Sequence, residues 1–122
     1  MALASTTAAN QALNGVDASG TPTNLAAFVS LHTASPSTTG ANENAATGSY
    51  ARQACSWNAA SGGTKTNSSS LTFSTAGSTA VTHFGTFSAS TAGTYGIGGA
   101  LASSVTAASI TFAAGAISLG AS

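Results

Sequence analysis

Between Tyr50 and Leu119 the larger apolar side chains fall into six short runs: Tyr50–Trp57, Ser70–Ser74, Ala80–Ser88, Thr94–Leu101, Ser109–Phe112 and Ala116–Leu119. Turn-forming residues separate them, with Gly62-Gly63, Gly77 and Gly93 in the gaps. β-Branched threonine recurs throughout, and Phe73, Val81, His83 or Phe84, Phe87, Tyr95 and Ile97 carry the larger side chains. Short strands at such regular spacing predict an all-β chain, folded as a small antiparallel β-sandwich or a barrel-like domain. At the C-terminus, Ser109-Ile-Thr-Phe112 and Ala116-Ile-Ser-Leu119 alternate apolar with polar around Ala113-Ala114-Gly115. That pattern predicts a hairpin with one buried face.

The first part of the chain differs. Ala8, Ala9, Ala12, Leu13 and Val16 recur at helical spacing, with Ser5 or Thr6 as the N-cap and Gly15 as the stop. A short N-terminal helix or arm is therefore expected, followed by a loop through Asp17-Ala-Ser-Gly-Thr-Pro-Thr-Asn24. Leu25–His32 reads as a buried strand, and Thr33–Gly48, which contains Pro36, as a long connection of the kind that is usually functional or disordered. The division expected is residues 1–24 as helix or arm plus loop, and residues 25–122 as the β-domain.

Charge narrows the function. Arg52, Lys65, Asp17 and Glu43 are the four charged side chains among 122 residues, where about a quarter is typical. A net charge near zero favours association, so the surface is expected to be covered by neighbours in a homo-oligomer or larger assembly. Two cations cannot drive counterion release from nucleic acid or attraction to anionic lipid. No apolar run approaches the roughly 20 residues of a membrane helix. The N-terminus lacks the basic flank and apolar block of a secretion signal, which predicts synthesis in the cytoplasm. Cys55 is the single cysteine, so no intrachain disulfide is expected.

Catalytic and cofactor motifs are scarce. There is no Gly-x-Ser-x-Gly elbow. Gly62-Gly63-Thr64-Lys65 lacks phosphate-loop spacing and reads as a hairpin turn. Gly96-Ile-Gly98-Gly99 has no following helix or acidic ribose ligand. His32, His83 and Cys55 lie in separate strands and do not form a zinc pattern, and Asp17 with Glu43 is a poor carboxylate pair because both fall in loops. The Asn67-Ser68-Ser69 triplet matches a glycosylation acceptor with no secretory route to use it. Catalytic residues, metal ligands and cofactors are thus expected to be none. Two sets of residues remain: Arg52, either paired with Glu43 as a structural ion pair that fixes register or exposed next to Tyr50, and Trp57, Tyr50 and Tyr95, either as core or as a platform for a host glycan.

The segments Leu31-His-Thr-Ala-Ser-Pro-Ser-Thr-Thr-Gly-Ala-Asn-Glu43, Ser49-Tyr-Ala-Arg-Gln53, Trp57-Asn-Ala-Ala-Ser-Gly-Gly63, Leu71-Thr-Phe73, Val81-Thr-His-Phe-Gly85 and Gly99-Ala-Leu101, in that order, resemble a family of small tailed-bacteriophage virion proteins often labelled tail fibre or minor tail proteins. The resemblance covers nearly the whole chain. It implies a non-enzymatic β-domain built into the particle exterior as a minor tail or capsid-decorating subunit. Its partners would be other virion proteins and further copies of itself, with a trimer as the common arrangement and a host surface as the alternative contact. Its location would be the virion, assembled in the host cytoplasm. Where the family commonly has Ala-Asp-Pro-Gly, this chain has Ala34-Ser35-Pro36-Ser37.

Overall fold

The computed structural model describes residues 5–18, 20, 23–44 and 50–120. Among the described residues one helix, α1 (Thr6–Val16), precedes eight strands: β1 (Phe28–His32), β2 (Gln53–Ala54), β3 (Thr64–Thr66), β4 (Leu71–Ser74), β5 (Val81–Phe87), β6 (Tyr95–Val105), β7 (Ser109–Phe112) and β8 (Ser118–Gly120). All pairings are antiparallel, and the chain is a small all-β fold with an N-terminal helix.

Ser5 caps α1, its hydroxyl accepting from the Ala8 amide at 3.0 Å, which satisfies one of the amides that a helix start leaves without a partner. Gly15 does not stop the helix. It lies inside the last turn, Asp17 is the C-cap, and the left-handed residue that follows is Ala18, with φ of 58°.

A four-stranded sheet in the order β2-β1-β5-β6 forms one layer, and two two-stranded ribbons, β3-β8 and β4-β7, form the other. The core lies between them. Val29 and Leu31 from β1 and Val81 and Phe84 from β5 meet Leu71, Phe73, Ile110, Ile117 and Leu119 from the ribbon side. The Phe73 and Phe112 rings meet edge to face across β4 and β7, the arrangement that aromatic quadrupoles favour.

The C-terminal hairpin expected from the sequence does not form. β7 pairs with β4 and β8 with β3, so the two segments diverge across the 113–117 turn. Asn67 explains why. Its side chain is fully buried; it donates to the Ser69 and Ala113 carbonyls at 2.8 and 3.0 Å and accepts from the Ile117 amide at 2.9 Å. A backbone bond from Gly115 N to Asn67 O adds to the grip. The turn's polar groups are thus satisfied by the segment after β3 rather than by a β7-β8 ladder. A buried, fully bonded Asn67 is also structural rather than an exposed acceptor for sugar.

Tyr50–Trp57 is not one continuous strand. Gln53 and Ala54 pair with Val29 and Phe28, and Trp57 bridges to Asn67 on the ribbon side, so the segment crosses from one layer to the other. Gly62 and Gly63 do form a tight turn. Both have positive φ, 61° and 80°, and Ser61 and Thr64 exchange backbone bonds at 2.9 and 3.1 Å, the geometry of a type I′ hairpin. Thr64–Thr66, which the sequence pattern did not mark as a strand, continues from that turn as β3.

Candidate functional site

β1 is buried on both faces. Val29 and Leu31 face the core, while Ser30 and His32, also at 0% exposure, face the other way, as strand alternation requires. Opposite Ser30 in the register stand Gly85 of β5 and, beyond it, Gly98 of β6. A Cβ at Gly85 would come within 2.7 Å of His32 Nε2 and 3.0 Å of the Tyr95 ring, so the glycine lets the rings lie flat on the sheet. His32 stacks on Phe87 with centroids 6.4 Å apart, and Phe87 meets Tyr95 at 5.4 Å.

Over this aromatic layer sits the segment that follows β1. Glu43 bridges back to His32 through the backbone, and its carboxylate meets Arg52: Nη2 donates to Oε1 at 2.8 Å and Nε to Oε2 at 2.9 Å. The bidentate fork is the strong geometry for this pair. The guanidinium also donates from Nη1 to the carbonyls of Ala89 and Ala92 at 3.0 and 2.7 Å, and its carbon lies 3.5 Å from the Phe87 ring centroid, within cation-π range. Tyr50 extends the network, donating to Glu43 Oε2 at 3.0 Å and accepting from the Leu31 amide at 3.0 Å. One arginine therefore ties together the loop after β1, the segment entering β2, and the β5-β6 turn.

Burial by itself would raise Glu43, but the hydrogen bonds from Arg52 and Tyr50 and the arginine charge outweigh it and hold the carboxyl below the ordinary range. Burial also pushes the Tyr50 phenol well up, and the Glu43 carboxylate, which disfavours a phenolate beside it and accepts the phenol's hydrogen bond, adds to the rise. The Tyr95 phenol is pushed up to about 12 by burial. Burial lowers His32, and the opposing pull of the Ala41 carbonyl and the Glu43 charge offsets this only in part. The ring is therefore neutral. Since Nδ1 lies 2.8 Å from the Ala41 carbonyl, it carries the proton, and Nε2 accepts from the Ser30 hydroxyl at 2.8 Å.

That Ser30-His32 contact, two residues apart on one strand face, has the spacing of a nucleophile and its base. Sequence reasoning missed it, though the Ser-x-His pattern in a strand was the available signal. With both residues at 0% exposure, no substrate reaches the hydroxyl in this conformation. The contact instead locks the ring beneath the loop. His83 stands opposite His32 in the register, and its Nδ1 lies 2.8 Å from its neighbour Thr82 Oγ1. Cys55 Sγ lies 3.4 Å from the Ser56 carbonyl, its thiol pushed up by burial. No group of three or more potential metal ligands occurs among the described residues.

The three aromatic candidates do not form a platform. Tyr50 and Tyr95 are 9% and 5% exposed and turn their rings inward, while Trp57 packs against the core and donates Nε1 to the Ala26 carbonyl at 2.7 Å. A cleft of about 420 Å³ lies beside the ion pair, lined by Glu43, Asn44, Tyr50, Arg52, Ser90 and Thr91 among others.

What the arrangement does is mechanical. It spends two of the four charges on bracing three distant segments and leaves a surface of small neutral side chains. Among curated proteins no match is found. A family model described as Podophage GP4 fiber I protein gp80 matches residues 3–120, helix and β-domain together, and the chain belongs to that family.

Proposed function

We propose that the chain is a non-enzymatic structural subunit of a phage fibre, displayed on the particle exterior and held there by neutral contacts with copies of itself and with other virion proteins. Residues 1–24 would serve as an attachment arm and residues 25–122 as the body, with assembly in the host cytoplasm. The observation that carries this reading is the fibre-family match across residues 3–120. The structure is consistent with it: the described nucleophile-base pair is buried, the Arg52-Glu43 network is used internally, and little charge is left to oppose close packing. Such contacts are individually modest and gain strength through repetition.

Quantitative mass spectrometry of purified particles tests the proposal. The chain should be recovered at a fixed ratio to the major capsid protein, low enough for a fibre. Its absence from washed particles, while present in the infected lysate, would refute it.

A further inference from the structure

Residues 34–41 fold over the aromatic layer as a flap with a closed neck. The Thr33 amide donates to the Asn42 carbonyl at 3.0 Å, and the Asn44 amide to the Leu31 carbonyl at 2.7 Å. Inside the flap the Gly40 and Ala41 amides both donate to the Pro36 carbonyl, at 2.9 and 3.0 Å, and Asn42 Nδ2 donates to the Ser35 carbonyl at 2.8 Å. A segment with adjacent ends and bonds of its own is an Ω-loop, which can lift as a unit without unravelling. Its grip on the strands beneath is slight. Pro36 is buried and Gly40 half-buried, and the other residues of 34–41 are exposed. Gly40 rests on the rings, where a Cβ would come within 2.8 Å of Phe87 Cζ and 3.0 Å of Tyr95. Pro36 lies over Gly98, beside the Tyr95 hydroxyl.

Among the described residues, a single hydrogen bond ties 34–41 to the strands: His32 Nδ1 to the Ala41 carbonyl at 2.8 Å. The ring that makes it has 0% exposure and spends Nε2 on the Ser30 hydroxyl. Glu43 and Arg52 face it from the neck side, His83 from β5 and Tyr95 from β6. Glu43 is the one group there that would welcome a charged imidazole, and its carboxylate is already engaged by Arg52 and Tyr50. Arg52 and His83 oppose the charge. His83 stands directly opposite in the register, the position where like charges on neighbouring strands destabilise.

We propose that residues 34–41 are an acid-released flap, latched shut by neutral His32 and lifted when that ring takes up a proton. A proton on Nε2 turns it from acceptor to donor, so the Ser30 hydroxyl has to give up its bond to the ring. The new charge sits where no water reaches it. Lifting the flap hydrates the ring at the loss of one side-chain bond and two packing contacts, whereas unfolding would surrender the whole core; local opening is therefore the first response. The sign follows from burial. The closed state holds His32 below its ordinary value of 6.5 and the open state does not, so closure is complete above that value and weakens as pH falls below it. The Glu43-Arg52 fork stays ionised in this window, because Glu43 is held below 4.5, and it keeps the neck in place. Lifting brings Ser30, His32, Phe87 and Tyr95 to solvent together. This device does not depend on the reading of the chain as a virion subunit.

Thiol labelling of the full chain in a Cys55→Ala background tests it, with 4,4′-dithiodipyridine as the reagent because it reacts at acid pH. Pro36→Cys reports the underside of the flap. Thr38→Cys, on its exposed side, supplies the rate of a free thiol at each pH, and Ile117→Cys, at a core position 2% exposed, reports global unfolding. The Pro36→Cys rate divided by the Thr38→Cys rate should be level from about pH 8 to pH 6.5 and rise by up to about tenfold at pH 5.5, one proton per opening. The Ile117→Cys ratio should rise less. Adding His32→Asn, which can donate to Ala41 without titrating, should abolish the rise; if that variant melts early, His32→Gln replaces it. A Pro36→Cys ratio that stays flat, one that only tracks Ile117→Cys, or a rise that persists without His32 would each overturn the inference. The first two comparisons need no change at His32.

Discussion

At the scale of single residues, two tyrosines of similar burial are expected to behave oppositely. Tyr50 Oη holds both the Leu31 amide and Glu43, so Tyr50→Phe leaves a buried donor unpaired and should cost about 1–3 kcal/mol. Tyr95 Oη is buried without a hydrogen-bond partner among the described residues, so Tyr95→Phe should be neutral or stabilising within about 1 kcal/mol. Urea unfolding of the two variants beside wild type checks the pair. Acid should act through His32 and Glu43. Above pH 6.5, the ordinary value for His32, neither folded nor unfolded chain is charged there and nothing is lost. Below it the unfolded chain gains a proton that the folded chain resists, so stability falls. Below 4.5, the ordinary value for Glu43, the unfolded carboxyl protonates while the folded one stays ionised against Arg52, and the fall steepens. Melting temperature measured from pH 8 to pH 4 should therefore be level and then decline. Arg52 and Glu43 stood out in the sequence because so few charges were present. Ala89, Ala92 and Phe87 did not, since carbonyls 37 and 40 residues away carry no sequence mark.

Among elements, the sequence was most legible where apolar alternation met a clear turn. β4, β5 and β7 lie within or coincide with the runs marked by Leu71, Val81 and Ile110, and the Gly62-Gly63 turn follows from two residues free to adopt positive φ. Partnership was not legible. Period-two patterning says that Ile110 and Leu119 are buried, not against which strand, and the short separation of β7 and β8 suggested the wrong answer. Asn67 supplied the missing constraint through a long-range side-chain contact, 50 residues from Ile117. Asn67→Ala removes the side-chain partner of the Ile117 amide and one donor from each of the Ser69 and Ala113 carbonyls, and should cost about 3 kcal/mol. Thermal unfolding measures it; a loss below about 1 kcal/mol would show that the 113–117 turn stands without this anchor.

For the whole molecule, four charges in 122 residues leave ions little to contribute to the proposed assembly. Two of those charges are spent on each other inside the fold. The assembly proposed for this subunit would therefore rest on apolar and hydrogen-bonding contacts. At about 1 M salt the Debye length is near 3 Å, so an interface built on exposed ion pairs would weaken, whereas apolar burial does not depend on them. The most direct measurement is the ratio of this chain to the major capsid protein in purified particles before and after a wash in about 1 M sodium chloride. An unchanged ratio is the predicted result; particles stripped of the chain by salt alone would contradict a subunit held by neutral contacts.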